Sequence, residues 1–271
     1  MLAVSTIMPQ PEIKRTVDTA QPTPEEIQAR VLHRDGLMLV IDKPAGIAVH
    51  RGPKGGANLE ASFDALRFGL PRPPVLAHRL DRDTSGCLVL GRHRKATASL
   101  GLLFKHGKIS KTYWAVVEGG PSEDEGAIDI PLGRLNEERG WWQKPDPNGL
   151  PSTTKWKVLG RSSPDTSTVS GAGVQLTWLS LEPLTGRTHQ LRVHCAAMGW
   201  PIVGDNIYGT QASLRRSRNE QYVPRLDEPG LHLHARQIAI PLSRNKPPVV
   251  VTAPAPAHLH ARLRACGWNA E

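Results

Sequence analysis

The length, composition and charge of the sequence limit the kinds of protein it can encode. Its 271 residues suffice for one large domain or two small ones. Hydrophobic residues make up 39% of the chain and charged residues 22%, which excludes a wholly disordered or a fibrous protein. The 34 lysines and arginines against 25 acids give a net charge of +9, which favours a polyanionic partner.

The cysteines and the hydropathy pattern indicate where such a protein works. The chain has three cysteines, an odd number, at Cys87, Cys195 and Cys266. They include no CxxC pair, so neither a disulfide scaffold nor a zinc ribbon is predicted. The charge-free stretch 167–181 is broken by polar residues and falls short of the roughly 18 to 20 apolar residues of a membrane span. No basic cluster precedes an apolar run near Met1, as in a secretory signal. We therefore expect a cytoplasmic protein without a membrane partner.

The predicted elements, in chain order, alternate irregularly between strands and helices. Residues 1–30 are rich in Pro, Thr, Gln and charge and predict a flexible tail with one short turn around PEEIQAR at 24–30, followed by a domain at 31–271. Apolar periodicity predicts strands in 36–46, 87–90, 111–119, 174–181, 233–242 and 247–253, and helices at 59–70, 95–105, 188–198 and 257–266, the third capped by Thr188. Polar segments predict long turns or a hairpin at 121–152 and a loop at 210–230. This order favours the α+β class over a doubly wound sheet.

The basic charge is concentrated in part of the chain. Residues 78–111 contain eight Lys and Arg against two Asp, whereas 118–138 contain seven acids and one base. A second basic stretch, 187–218, has five bases and one acid. Two interpretations fit this pattern: a solvated face with unrelated counter-charge, or a surface that attracts a polyanion.

One string in the first basic stretch has the composition of a catalytic loop. HRLDRDTSG, His78–Gly86, places the acid Asp81 between Arg79 and Arg82. Cationic neighbours keep a carboxylate ionised, as a nucleophile or an electrostatic anchor requires. The alternative is an ordinary Asx or Ser/Thr turn with surface salt bridges. We expect His78 to be structural.

Three further segments occur with this string: KPAGIAVH at Lys43–His50, KTYWAVVEG at Lys111–Gly119, and LTGRTHQLRVHCAAMGWPIVGDNIYG at Leu184–Gly209. In this order the four segments resemble the motifs of the RluA-type pseudouridine synthases, over roughly residues 36–242. The resemblance implies one catalytic domain with a central mixed, largely antiparallel sheet flanked by helices. Many relatives carry an S4-like RNA-binding domain before it. The 30-odd residues here are too few for one, so the chain resembles the small members that act on tRNA or rRNA stem-loops.

The chemistry implied by the resemblance agrees with the residues present. Pseudouridine forms when the N1–C1′ bond of uridine breaks, the base rotates and C5 joins C1′, so neither a redox cofactor nor a nucleotide cofactor is expected. The resemblance makes Asp81 the nucleophile, which would attack either C1′ of the sugar or C6 of the base. Glycosidases use two carboxylates, and here Asp83 is at a variable position of the motif. One carboxylate favours isomerisation over hydrolysis.

Two further residues are predicted to be catalytic. Tyr113 offers a flat face that stacks on the target base and a hydroxyl that helps to remove the C5 proton, although a strand aromatic can equally pack in the core. Arg192, near the start of a predicted helix, is by resemblance the arginine that forms a salt bridge with Asp81.

Five residues are predicted to contact RNA, and structured RNA is the predicted partner. A buried uridine must be flipped out of its stack, and Arg79 is the candidate to fill the vacated place. Arg187 is placed for a phosphate, with a plain surface arginine as the alternative. The remaining predicted RNA-binding residues are Arg82, Lys111 and His189.

Other uses of the same sequence are less well supported. The HxH pairs at 232–234 and 258–260 would need further converging ligands to bind zinc, so no metal site is predicted. The glycines of 52–58 lack the patterns of a nucleotide-binding loop. Trp141 and Trp142 either stack on RNA bases or pack on the sheet. The rival functions are a non-catalytic RNA-binding or ribosome-assembly factor and a base-removing glycosylase. We expect a monomer.

Overall fold

The architecture is built from one large sheet, a separate hairpin and short helices. The computed structural model describes residues 21–52, 55–136, 141–163, 174–218, 230–243 and 245–269. Its strands are β1 (Val31–Arg34), β2 (Met38–Lys43), β3 (Val75–Leu76), β4 (Ser85–Gly91), β5 (Ser110–Glu118), β6 (Glu125–Asp129), β7 (Leu132–Arg134), β8 (Gln143–Pro145), β9 (Thr153–Arg161), β10 (Leu176–Pro183), β11 (Leu233–Ile240) and β12 (Val249–Thr252). Its helices are α1 (Pro24–Ala29), a 3₁₀ helix (Leu59–Leu66), α2 (Arg94–Lys105), α3 (Gln190–Ala197), α4 (Thr210–Ser217) and α5 (Ala257–Ala265).

The sheet is mixed and largely antiparallel. Within the described ranges, ten strands form it in the order β1-β2-β4-β11-β5-β10-β9-β6, with β3 beside β4 and β12 beside β11. These pairings are antiparallel except that β4 runs parallel to β11, with Ser85 opposite His234. β7 and β8 form the separate hairpin. The predicted α+β class, with a mixed, largely antiparallel central sheet and flanking helices, is confirmed.

The continuous apolar run of β2 reflects burial on both of its faces. Leu39 and Ile41 pack with α1 and the 3₁₀ helix, whereas Met38 and Val40 pack with Leu100 of α2. Alternate residues of a strand point to opposite faces, so a strand covered on both sides has no polar positions to alternate. The same arrangement explains why every residue of β4, which follows the HRLDRDTSG loop, is buried.

The start of the ordered chain differs from the prediction. The sequence predicts a flexible tail up to residue 30 with one short turn at 24–30. Residues 24–29 form the helix α1 at the place of that turn, and Ile27 is completely buried in the same core cluster as Phe63, so this part is not a flexible tail. The side chain of Thr23 accepts from Glu26 N at 3.2 Å, and Glu26 accepts from Thr23 N at 2.9 Å. This capping box stabilises the helix start, so the ordered part begins before residue 31. The predicted tail residues 1–20 lie outside the described residues.

Two predicted helices differ in type or in starting point. The segment 59–70 forms a 3₁₀ helix that ends at Leu66, because Phe68 and Gly69 adopt positive φ angles that no right-handed helix continues through. The helix predicted to start at Thr188 begins at Gln190. Its N-cap is His189, which has a left-handed conformation and makes no side-chain capping bond.

Several further elements have no predicted counterpart, among them β1, β3, α4 and β9. The segment 210–230 is predicted as a loop, but Thr210–Ser217 form α4; residues 219–229 lie outside the described residues. β9 has no predicted counterpart, although Thr154 and Trp156 are buried and Lys155 and Lys157 are exposed, as expected for a strand with one covered face. No helix in the described part of the chain is both long enough and apolar enough to span a bilayer.

The glycine that closes the HRLDRDTSG loop is required by the sheet. Gly86 has a φ of 105°, a region that side chains other than glycine rarely adopt. A Cβ built at Gly86 would lie 2.3 Å from the backbone oxygen of Ala235 on β11. The parallel β4–β11 contact therefore excludes any side chain at this position.

We expect Gly86→Ala to lower the free energy of unfolding by about 3 kcal/mol or more, since backbone strain and a backbone clash add. Urea denaturation measures this change. Gly101→Ala is the matched control. It lies within α2 with nothing inside 4 Å of its Cβ, and alanine should stabilise a helix interior by up to about 1 kcal/mol. Equal stability of the two variants would contradict the role assigned to Gly86.

Candidate active site

The HRLDRDTSG loop borders a cavity of about 700 Å³. The other walls are the C-terminal end of α2, the start of β5 and the turn that leads from β10 into α3. A volume of this size lies within the range of ligand pockets. The predicted site residues that line it are Arg79, Asp81, Lys111, Tyr113, Arg187, His189 and Arg192.

Asp81 is at the centre of the cationic part of this cavity. Its side chain is 22% exposed, so it is reachable from the cavity but largely shielded from water. Its Oδ2 lies 3.8 Å from His189 Nε2 and 3.9 Å from Arg192 Nη1. The structure thus places a guanidinium and an imidazole just beyond hydrogen-bond distance of an accessible carboxylate.

A buried lysine holds the loop that carries Asp81. Lys43 is completely buried at the end of β2, and its Nζ donates to the backbone oxygens of Pro44 at 2.9 Å, Arg82 at 2.8 Å and Thr84 at 2.9 Å. Three acceptors match the three donors of an ammonium group. Burial lowers the pKa of Lys43 to about 7, although the negative charges of Asp83 and Asp81 in the loop act to raise it. The sequence shows Lys43 in a motif but assigns it no role.

Arg82 also fastens this loop. Its Nε donates to Gly46 O at 2.9 Å, and Gly46 N donates to Arg82 O at 3.0 Å. The residue does not belong to the cavity lining. Of the five predicted RNA-binding residues, Arg82 is thus the one that the structure places away from the cavity, against the KPAG turn.

Tyr113 points into the cavity from β5 and also contacts two core clusters, so both of its predicted uses, stacking and packing, fit its position. Burial raises the pKa of Tyr113, and the negative charge of Asp81 adds to the effect. The phenol therefore stays protonated at neutral pH. It can donate a hydrogen bond, and it can take up a proton only by passing on its own.

The predicted ion pair of Arg192 with Asp81 is present, with 3.9 Å between the charged atoms, and Arg192 has a closer, unpredicted pair with Asp205. The residue is buried on α3, and its Nε and Nη2 donate to Oδ2 and Oδ1 of Asp205, both at 2.7 Å. Asp205 Oδ1 also accepts from the backbone N of Ile207 and Tyr208, both at 2.9 Å. Burial opposes the charge on Arg192, but the hydrogen bonds and charge of Asp205 outweigh it and raise the pKa of the guanidinium. Arg192 is thus anchored by Asp205, because the loop before α4 places that carboxylate against α3, and Nη1 is directed to Asp81.

The turn before α3 is held by a glutamine that the sequence places inside a motif without a role. Gln190 Oε1 accepts from Thr185 Oγ1 at 2.7 Å and from Arg187 N at 3.1 Å, and its Nε2 donates to Thr153 O at 3.0 Å. Arg187 itself donates from Nε to Pro151 O at 3.2 Å. These bonds fix the wall of the cavity that faces Asp81.

Three histidines of the sequence analysis are structural. His78 stacks on Phe104 with ring centroids 4.3 Å apart and accepts from Val89 N, as expected for a structural residue. His232 and His234 are completely buried, and His234 Nδ1 is 2.9 Å from Ser85 Oγ. Burial lowers the pKa of His234 to about 4 and that of His232 to about 3. In the part of the chain that the structure describes, no group of three or more His, Cys, Asp or Glu could hold a metal ion.

The two tryptophans before β8 have different environments. Trp141 is 58% exposed and lies edge-to-face against His189, with ring centroids 5.4 Å apart. Trp142 is half-buried and contacts Trp141 in the same way at 5.6 Å. Trp141 therefore presents an aromatic surface to solvent beside the residues that surround Asp81.

Comparisons with known proteins show the family of this chain. The family described as RNA pseudouridylate synthase matches residues 37–197. An uncharacterized RNA pseudouridine synthase of Zymomonas mobilis is 39% identical over 229 residues, covering 84% of this chain and 94% of that protein. Ribosomal large subunit pseudouridine synthase C of Vibrio cholerae is 32% identical, covering 88% and 69%. The solved structure of human RNA pseudouridylate synthase domain containing 4 has a TM-score of 0.66 and 26% identity, covering 89% and 95%.

The family match contains the first three motifs and the beginning of the fourth. The chain belongs to the RNA pseudouridylate synthase family. The resemblance to the RluA type and the predicted enzyme class, an isomerase, are confirmed.

Proposed function

We propose that this protein converts specific uridines of a structured RNA to pseudouridine, with Asp81 as the nucleophile. The observation that carries the proposal is the position of Asp81, an accessible carboxylate between Arg192 and His189 in a cavity that Tyr113 also lines. A carboxylate within reach of the substrate can form a covalent bond to C1′ of the sugar or to C6 of the base.

The atoms balance without any other reactant. If Asp81 attacks C1′, its bond to C1′ forms as the N1–C1′ bond breaks, and it breaks again as the C5–C1′ bond forms. If Asp81 attacks C6, the N1–C1′ bond breaks, the C5–C1′ bond forms, and the bond from Asp81 to C6 then breaks. In either case the proton of C5 leaves to solvent, and N1 gains a proton. Tyr113, protonated at neutral pH, would relay the C5 proton by taking it up while passing on its own. No oxidant, reductant or energy donor is consumed.

Structured RNA, from tRNA or rRNA stem-loops, is the proposed substrate. Arg79, Lys111 and Arg187 line the cavity around the carboxylate, and such cations favour phosphate at the rim. The Vibrio cholerae relative is named for the large ribosomal subunit, which supports rRNA as one choice. We propose that the target base is flipped into the cavity and that Arg79 fills the gap in the stack. The cytoplasmic location and the monomeric state stay predictions.

The proposal is tested with RNA that carries tritium at C5 of uridine. We expect the purified protein to release tritium to water and to leave pseudouridine at defined positions in rRNA or tRNA. Sequencing of pseudouridine in RNA from cells with and without the protein then names those positions. Tight RNA binding without tritium release would instead support the non-catalytic factor, and abasic sites with free uracil would support the glycosylase.

A further inference from the structure

We propose that His189 is a positioning residue for Asp81, held by Tyr208 and the backbone of β8 as the neutral tautomer with its proton on Nε2. The inference rests on the proposed function, in which Asp81 is the nucleophile. It assigns His189 a role other than contact with RNA, and it makes Tyr208 and the β7–β8 hairpin part of the active site.

The backbone of His189 is the first observation. It has φ 54° and ψ 16°, and Phe68 is the other non-glycine residue with positive φ in the described ranges. A left-handed conformation is unfavourable for a histidine, and such strain persists where the surroundings require it. Side-chain capping does not account for it, because the side chain makes no capping bond at the helix start. The conformation instead turns the imidazole toward Asp81.

A chain of hydrogen bonds assigns the proton. Gln143 N donates to the hydroxyl oxygen of Tyr208 at 2.9 Å, and that oxygen lies 2.9 Å from His189 Nδ1. A backbone N–H can only donate, so the phenol accepts there, and we assign its own proton to Nδ1, which lies within hydrogen-bond distance. Nδ1 is then the acceptor nitrogen, and a neutral imidazole carries its proton on Nε2. Nε2 is the atom that faces Asp81 Oδ2 at 3.8 Å.

The surroundings keep this imidazole neutral and fixed. Burial lowers the pKa of His189; Asp81 opposes this effect, and the charge of Arg192 lowers the pKa further. The charge of Asp205 raises the pKa of His189, and that of Arg79 lowers it. Burial also raises the pKa of Tyr208 to about 12, so its proton stays available. The rings of Trp141 and Tyr208 lie edge-to-face against the imidazole at 5.4 and 5.5 Å.

A neutral N–H donor has a specific use beside a nucleophile. Arg192 already supplies a positive charge, and a second one would bind the carboxylate more tightly and make it less reactive. A neutral Nε2–H can orient one oxygen of Asp81 while the other attacks. The separation of 3.8 Å is too long for a hydrogen bond, and catalytic contacts of this kind often shorten when substrate binds.

Tyr208→Phe tests the arrangement because it removes the hydroxyl and keeps the ring against His189. We expect kcat to fall about tenfold, the effect of losing one hydrogen bond, with little change in KM. Since a hydrogen bond to the neutral form disfavours protonation, the pKa of His189 should rise in this variant, and the acidic limb of the kcat profile should move to higher pH. The control is Thr210→Val, two residues after Tyr208. It removes a hydroxyl that donates to Glu118, and it should change neither kcat nor the acidic limb of the kcat profile.

Nitrogen-15 NMR of the histidine ring reads the tautomer directly and without any assay of activity. The wild-type protein should show His189 protonated on Nε2 at pH 7, and Tyr208→Phe should lose that preference. An imidazolium, or a proton on Nδ1, would overturn the proposal even if the enzyme is active. Failure to form pseudouridine in the wild type would instead refute the proposed function.

A second pair of variants separates a donor from a filler of space. His189→Gln keeps a neutral N–H donor, and His189→Ala does not, while both carry the same left-handed backbone. We expect the glutamine variant to retain about tenfold more kcat than the alanine variant at similar RNA affinity. Equal kcat values in two folded variants would mean that the imidazole is structural.

Discussion

Asp81→Asn is expected to bind RNA as the wild type does and to form no detectable pseudouridine. The amide has the same shape but no charge and no nucleophilic oxygen, so the loss of rate should be at least about 10⁴-fold, as for other enzymes that lose their nucleophile. The fold should persist, because Arg192 keeps its two hydrogen bonds to Asp205. Tritium release measures the rate, filter binding measures RNA affinity, and thermal melting measures the fold.

Asp83→Asn is the matched control, since it makes the same chemical change two residues along the same loop. Asp83 is at a variable position of the motif and is absent from the cavity lining. We expect it to keep most of the activity. If Asp81→Asn remains active, Asp81 is not the nucleophile. If both variants lose activity equally, the loop requires its acids for the charge balance around Lys43 rather than for chemistry.

The sequence predicted those parts of the site that lie within one short segment. Asp81, its arginine neighbours and Gly86 are contiguous, and the resemblance of three further motifs assigned Tyr113 and Arg192. The class of fold followed from apolar periodicity, because β2 and β5 carry clear strand patterns and α2 a clear helical one. In each case the signal is local, so no knowledge of the tertiary contacts was needed.

Residues that act through long-range contacts were not predictable in the same way. Lys43 donates to carbonyls about 40 residues away, and Asp205 contacts Arg192 only because a loop folds back on α3. The identity of residue 189 as histidine does not predict its left-handed backbone. One missed feature was readable: Thr23, Pro24 and Glu26 form the S/T-x-x-E signature of a capping box, which predicts α1 inside the assumed tail.

Removing one member of the buried Arg192–Asp205 pair should destabilise the protein more than removing one member of an exposed pair. We expect Asp205→Asn to lower the free energy of unfolding by about 3 to 5 kcal/mol, the usual cost of leaving one buried charge without its partner. Four donors point at this carboxylate. If the amide oxygen keeps the three bonds of Oδ1, its NH₂ group meets the N–H of Arg192 Nε, so a donor faces a donor.

Urea denaturation checks this expectation, with Asp64→Asn as the matched control. Asp64 pairs with Arg67 on the surface, and its side chain is 72% exposed. Exposed pairs contribute about 0 to 1 kcal/mol, so this variant should unfold close to the wild type. Equal destabilisation of the two variants would show that burial of the Arg192 pair has no energetic consequence.

The double variant Arg192→Met with Asp205→Asn separates stability from catalysis. It removes both charges, and the amide oxygen can still accept from the backbone N of Ile207 and Tyr208. We therefore expect it to be more stable than the sum of the single changes by about 1 to 3 kcal/mol. The double variant should form little or no pseudouridine, because no guanidinium then faces Asp81. Wild-type activity in the double variant would mean that Arg192 supports the fold and has no role beside Asp81.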